Sequence, residues 1–124
     1  MTQSSPEESP AVGTALSLDT VLELVANRRR RFALYVLVDA TDDLIDFETL
    51  IEDVATLEAA HTHTALTRDR YRETAADLYH WHLPVLADVG VVDFDTRDGL
   101  VRYWPHHVLE TWVDRLRRDE LARD

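Results

Sequence analysis

Apolar positions recur at helical spacing through the first two-thirds of the chain and then change to the alternation of strands. Ser17 offers a helix N-cap and Asp19 an acid in the first turn, with Leu18, Val21, Leu22 and Val25 following at the spacing of one helical face. Asn27 interrupts. Residues 28–38 read as a second helix with Phe32, Leu34, Tyr35 and Val38 apolar, although the two segments fit equally well as one helix bent near Asn27. Residues 39–43 form a polar loop, after which Asp46 is a good N-cap for a third helix carrying Phe47, Leu50, Ile51, Val54 and Leu57 on one stripe. Residues 61–66 contain no strong breaker, which leaves that boundary open. Thr67 caps a fourth helix whose core stripe is Tyr71, Ala75, Leu78, Tyr79, His82 and Leu86. Pro84 lies inside that pattern and predicts a kink or an end near Leu83, and Gly90 suits the position that closes the helix.

Beyond Gly90, the runs Val91-Val92-Asp93-Phe94 and Leu100-Val101-Arg102-Tyr103-Trp104 flank Asp95-Thr96-Arg97-Asp98-Gly99, which predicts a hairpin. Pro105 ends the second strand. A last helix, from His106 to about Leu121, carries Val108, Leu109, Trp112, Val113 and Leu116 on one face. This order predicts a mainly α fold with a β-hairpin: a winged helix-turn-helix of about five helices and a two-stranded wing, with the fourth helix in the recognition position. The domain spans residues 16–122. Residues 1–15 are rich in Ser, Pro and Glu, lack periodicity, and read as a disordered tail.

Composition narrows the function classes. A chain of 124 residues holds one core, and no apolar stretch approaches the roughly 20 residues of a membrane span. There is no secretion signal and no Cys, so disulfides, thiolate nucleophiles and Cys-based metal sites are excluded and a cytoplasmic location is expected. Asp and Glu number 24 against 13 basic residues, all of them Arg, for a net charge of −11. Such a surface repels itself in ordinary salt, but at molar ionic strength the Debye length falls to about 3 Å and the repulsion largely vanishes. High acid without Lys or Cys therefore points to a salt-rich cytoplasm. Three glycines leave no phosphate-binding loop, and serines occur only at Ser4, Ser5, Ser9 and Ser17, so no catalytic constellation emerges, no cofactor is implied and the chain reads as a non-enzyme.

The elements Leu16-Ser17-Leu18-Asp19, Leu22-Glu23-Leu24-Val25-Ala26-Asn27-Arg28-Arg29-Arg30-Arg31, Tyr79-His80-Trp81-His82-Leu83-Pro84-Val85-Leu86 and Gly90-Val91-Val92-Asp93-Phe94 carry a resemblance. Between Leu16 and Tyr103 the chain resembles a family of small winged-helix proteins from halophilic archaea, many without an assigned function. Its His-Leu…Leu…Gly-Val-Val ending is also similar to that of metal- and ligand-sensing winged-helix repressors. The resemblance implies a fold and a regulatory role. It supplies no catalytic residue, ligand or target.

Double-stranded DNA is the partner this order of elements suggests. Arg68, Arg70 and Arg72 open the recognition-position helix, where a planar guanidinium can read guanine edges or clasp phosphate. Arg97 and Arg102 sit in the hairpin, where a wing meets the backbone or minor groove. Arg28, Arg29, Arg30 and Arg31 crowd the positive end of a helix dipole, a position that disfavours each by roughly 0.3–1 kcal/mol at low salt. That run either holds an outside phosphate or carboxylate or pairs internally with the acidic third helix. Against DNA stand Asp69, Glu73 and Asp77 on the fourth helix and Asp46, Glu48, Glu52, Asp53 and Glu58 at the third. The alternative is accordingly a protein-interaction module without DNA binding.

Six histidines fall in three pairs, but His80 and His82 are two apart on a helix and point to different sides, which argues against a metal site. His82 is expected beside Leu78 and Leu86 in the core. Leu109, Trp112, Val113 and Leu116 give the last helix a broad apolar stripe, which either forms a two-fold dimer interface or packs back onto the first helix of the same chain.

Overall fold

A computed structural model describes residues 15–121. The tail expected over residues 1–15 falls outside the described residues, apart from Ala15. Helix α1 (Leu18–Val25) is capped by Ser17, whose Oγ accepts the Thr20 N–H at 3.0 Å. Asn27 has an extended backbone and caps the next helix, its Oδ1 accepting the Arg30 N–H at 3.0 Å. The chain therefore makes two helices here rather than one bent one. Helix α2 (Arg28–Val38) is the centre of the domain, with Phe32, Ala33, Leu34, Tyr35 and Leu37 buried.

The polar loop after α2 tightens into a 3₁₀ turn, Thr41–Asp43, in which Asp42 and Asp43 adopt left-handed φ of 57° and 59°. It delivers a short strand, β1 (Leu44–Asp46), that sequence periodicity does not reveal. Three residues are too few to show a period of two. Helix α3 (Phe47–Thr62) follows, with Asp46 at its N-cap but making no side-chain capping bond. His63 ends it in the left-handed region, and the Thr64 N–H returns to the Ala59 carbonyl at 2.9 Å.

Thr67 Oγ1 accepts the Arg70 N–H at 3.1 Å and starts α4 (Arg68–Asp77). The helix does not end at Pro84. It widens into a π-helical segment, Leu78–His82, and continues as α5 (Leu83–Asp88), so that residues 68–88 form one rod. Proline has no N–H to give to the fourth carbonyl back, and its ring crowds that carbonyl. Widening the preceding turn, with the Leu83 N–H reaching Leu78, accommodates both defects without breaking the rod. Gly90, at φ 82°, closes it, with the Gly90 and Val91 N–H groups returning to Ala87 and Leu86.

Strands β2 (Val92–Asp95) and β3 (Leu100–Tyr103) form the expected hairpin. Asp95 Oδ1 accepts the Arg97 and Asp98 N–H groups, and Gly99 takes φ 68° to complete the turn. The sheet has the order β1-β3-β2, antiparallel throughout, with Ile45 opposite Val101 and Phe94 opposite the same residue on the other side. The wing thus has three strands, one more than expected. Helix α6 (His107–Leu121) packs back across α1 and α2. His106 stays outside it and donates from Nε2 to the Gly90 carbonyl at 3.1 Å, tying the start of α6 to the end of the rod.

The succession α2, β1, α3, rod, β2, β3 is a winged helix-turn-helix, mainly α, elaborated by α1 before and α6 after. Its core joins Phe32, Leu34 and Leu37 to Leu50, Leu78, Leu86, Val101 and Leu109, each buried side chain stabilising the fold by about 1.5–3 kcal/mol. Among the described residues, no helix is long and apolar enough to cross a membrane.

Candidate nucleic-acid interface

The arginines divide into two groups by what they touch. Arg29 donates from Nε and Nη2 to both carboxylate oxygens of Glu58, at 2.7 and 2.9 Å, and from Nη1 to Asp77 at 2.8 Å. Arg30 is buried, with Nε on the Leu24 carbonyl at 2.9 Å and Nη2 on the Glu23 carbonyl at 3.0 Å. Arg31 reaches the Val25 carbonyl at 2.7 Å and pairs with both oxygens of Glu120 at 2.8 Å. Of the two alternatives, an outside phosphate or carboxylate and internal pairing, the structure therefore gives Arg29, Arg30 and Arg31 internal partners, although of the three only Arg29 meets the acidic third helix. The turn at Asn27 explains why the run is tolerated. It brings the negative end of α1, with its unpaired last carbonyls, against the first turn of α2, so Arg30 and Arg31 cap α1 while opening α2. Arg28 alone of the four is exposed and makes no ion pair among the described residues.

The second group is free. Arg68, Arg70 and Arg72 are exposed in the first turns of α4, and Arg97 is exposed in the wing turn; none makes an ion pair among the described residues. Helical spacing sorts the first three. Arg68 and Arg72 share one stripe, Asp69 and Glu73 the stripe beside it, and Arg70 lies roughly 160° around the axis from Arg72, on the other edge. Arg68, Arg70 and Arg72 thus do not form one basic face.

The outward face of the wing is mixed in the same way. Asp93, Arg102 and Leu44 lie side by side across the three strands, and Asp95, Leu100 and Asp46 form the next row. Arg102 lies over the Trp104 ring, 5.6 Å from its centroid, while the Trp104 indole donates to Asp93 at 2.9 Å.

Farther along the rod, Tyr79 and Trp81 are exposed and His82 is fully buried, between Leu78 and Leu86 as its spacing implies. Tyr79 joins Phe47 and Phe94 in an aromatic cluster with centroids 4.9–6.0 Å apart, which fixes the rod against the wing. Burial, with the Arg30 guanidinium 3.5 Å from Nδ1, pushes the His82 imidazole down to about 4, so it is neutral at physiological pH. His80 is exposed, so this pair does not point at one ion.

Of the stripe on the last helix, Leu109 and Val113 are fully buried in the chain's own core. Trp112 and Leu116 remain partly exposed and border a shallow groove of about 330 Å³ with Leu22 and Val25 of α1. Leu18 and Leu22, four residues apart on α1, are exposed beside it. The apolar surface left open is therefore made by both terminal helices, a composition that the pattern within α6 alone does not show.

No curated protein and no solved structure matches this chain. A family model does match residues 22–102, from α1 to the last strand of the wing, and on that span the chain belongs to the family described as a domain of unknown function, DUF7344.

Proposed function

We propose that this protein is a DNA-binding transcription regulator of a salt-rich cytoplasm, of the kind found in halophilic archaea, and that it acts as a homodimer without catalytic chemistry. One observation carries the reading. In a chain where acids outnumber cations by 24 to 13, the arginines at the start of the recognition-position helix have no acid partner among the described residues, whereas Arg29 and Arg31 do. Arg68 and Arg72 would enter the major groove from one stripe, with Arg70 reaching the backbone on the other edge and Arg97 flanking from the wing. Molar salt removes most of the counterion-release contribution to binding, so these contacts must be short-range and geometric rather than a broad basic field. The exposed Leu18 and Leu22, with the partly exposed Trp112 and Leu116, would supply a two-fold contact that sets the spacing of two half-sites.

A second reading, a protein-interaction module without DNA binding, is favoured by the Asp69 and Glu73 stripe and by the acids Asp46, Asp93 and Asp95 on the wing. One experiment separates the two. Purified protein is incubated with fragmented genomic DNA of its own source in molar potassium chloride, beside an Arg68→Ala/Arg72→Ala variant. Selective recovery of a few fragments, lost in the variant, supports the regulator. No enrichment at any salt concentration where the protein stays folded overturns it and leaves the interaction module.

A further inference from the structure

On the flank of α3 that faces away from α4 lies an open groove of about 650 Å³, bounded by the end of α2, by β1, by α3 and by the last turns of α6. Its apolar surface comes from Val36, Leu44, Ile45, Leu57 and Leu121. Three carboxylates rim it. Asp39 is held by Arg117 at 2.7 Å, but Asp46 and Asp53 make no ion pair among the described residues, and Asp46 is not spent on capping α3. Helix α3 contains no Arg, and Asp42 and Asp43 lead into β1, so the α3 and β1 walls of the groove are negative, while Arg117, the cation on the α6 side, is already paired with Asp39.

β1 is also an edge strand, the first in the order β1-β3-β2. Phe47 donates to Gly99 at 2.8 Å, which makes Ile45 and Val101 the next hydrogen-bonded pair in the register. The Leu44 carbonyl and the Asp46 N–H consequently face away from β3. Leu44 is itself exposed. An apolar edge left uncovered is a template for another chain.

We propose that this groove is a docking site for an extended, basic segment of a partner protein, with apolar side chains against Ile45 and Leu57 and an Arg or Lys toward each of Asp46 and Asp53. Spacing selects a peptide over a small cation. Asp46 and Asp53 are separated by two helical turns, about 10 Å along the axis, so one small ligand reaches one carboxylate only. An extended chain rises about 3.3 Å per residue and spans both with basic residues three or four positions apart. Charge complementarity rules out the chain's own N-terminal tail as occupant, because residues 1–15 contain Glu7 and Glu8 and no basic side chain. The proposal stands apart from the DNA reading, since Arg68 and Arg72 lie on the other side of α3.

The test uses the full chain in molar potassium chloride with a designed fluorescent nonapeptide alternating Arg and Val, and a control of the same length alternating Glu and Val. Binding is followed by fluorescence anisotropy and mapped by backbone amide shifts. The expected result is saturable binding of the basic peptide alone, shifts centred on residues 44–57, and a loss of about tenfold in affinity in Asp53→Arg and in Asp46→Asn. Both substitutions are on the surface, and unchanged thermal midpoints establish that the variants fold. Arg68→Ala/Arg72→Ala should bind the peptide as tightly as the parent. Equal binding of both peptides, shifts centred on α4 or on the α1 and α6 face, or undiminished affinity in both groove variants would overturn the proposal.

Discussion

Arg29 and Glu58 meet fork to fork, with parallel hydrogen bonds of 2.7 and 2.9 Å that join α2 to α3, and the remaining guanidinium nitrogen carries the contact on to Asp77 of α4 at 2.8 Å. One side chain thereby fixes the relative placement of the three helices of the helix-turn-helix core. The pair is largely shielded, with side-chain exposures of 19% and 12%, so removing Arg29 leaves a poorly solvated carboxylate without its partner. Arg29→Ala should lower stability by about 2–3 kcal/mol in urea unfolding. Arg29→Lys should recover only part of that, because an ammonium cannot make both bonds in one plane. An unchanged midpoint in Arg29→Ala would return this residue to the pool of outward-facing candidates.

His82 gives the domain a pH dependence of defined sign. Its ring faces Arg30 at Nδ1, lies 3.9 Å from Asp77 at Nε2, and feels Arg29 and Glu58 beyond. Burial and then Arg30 lower its pKa from 6.5 to about 4. Between those values the unfolded chain binds the proton and the folded one does not, so stability rises with pH across this window and falls on acidification. The loss should reach about 3 kcal/mol by the lower end. Urea midpoints measured at intervals from neutral pH downward should show this slope in the parent and a much shallower one in His82→Leu. The same slope in both would mean that His82 is charged in the fold.

Glu120 contributes a second, more acidic step. Its carboxylate accepts two bonds from Arg31 at 2.8 Å and one from the Tyr35 hydroxyl at 2.7 Å. The Arg31 hydrogen bonds hold it below its ordinary 4.5, with Tyr35 adding to them against the opposing effect of burial. A depressed carboxyl stabilises the fold above its unfolded pKa and loses that contribution as pH falls through the folded one. Glu120→Gln should therefore cost about 1–2 kcal/mol near neutral pH and flatten the acid limb of the stability curve. Hydrogen exchange should show the loss first in the amides of α6, the helix that Glu120 anchors. Exchange that rises evenly over the whole domain instead would show α6 to be docked by its apolar face alone.

The long, capped elements were legible because their cues are local. Ser17 and Thr67 each accept the cap bond that their position suggests, Asn27 proves to be a cap where the sequence showed only an interruption, and Gly90 and Gly99 take the positive φ that their turns require. β1 was not legible, since three residues cannot display a period and its pairing with β3 spans more than fifty positions. The stripe through Leu86 and the closing Gly90 already allow a continuation past Pro84, but the π-helical widening at Leu78–His82 that accommodates the proline is not encoded in that stripe. Arg28, Arg29, Arg30 and Arg31 show the limit most clearly: four identical residues in sequence have four different fates. Their partners are Glu58 and Asp77, the end of α1, Glu120, and solvent, and only the three-dimensional arrangement tells them apart.

The same distinction between sealed and open positions decides where a second copy can attach. Leu109 and Val113 hold α6 to its own chain, so truncating either should destabilise the monomer by about 2–5 kcal/mol whatever the oligomeric state. Leu22 is different, being 42% exposed on α1 and bordering the groove beside Trp112 and Leu116. Leu22→Glu places a charge in any contact made there while removing little from the folded monomer. In sedimentation equilibrium the parent is expected to be a dimer and Leu22→Glu a monomer with nearly the same urea midpoint. If the parent sediments as a monomer at every concentration tested, these exposed leucines do not serve self-association. The two arginine-bearing α4 helices then have no fixed spacing between them, and any DNA target must be a single half-site.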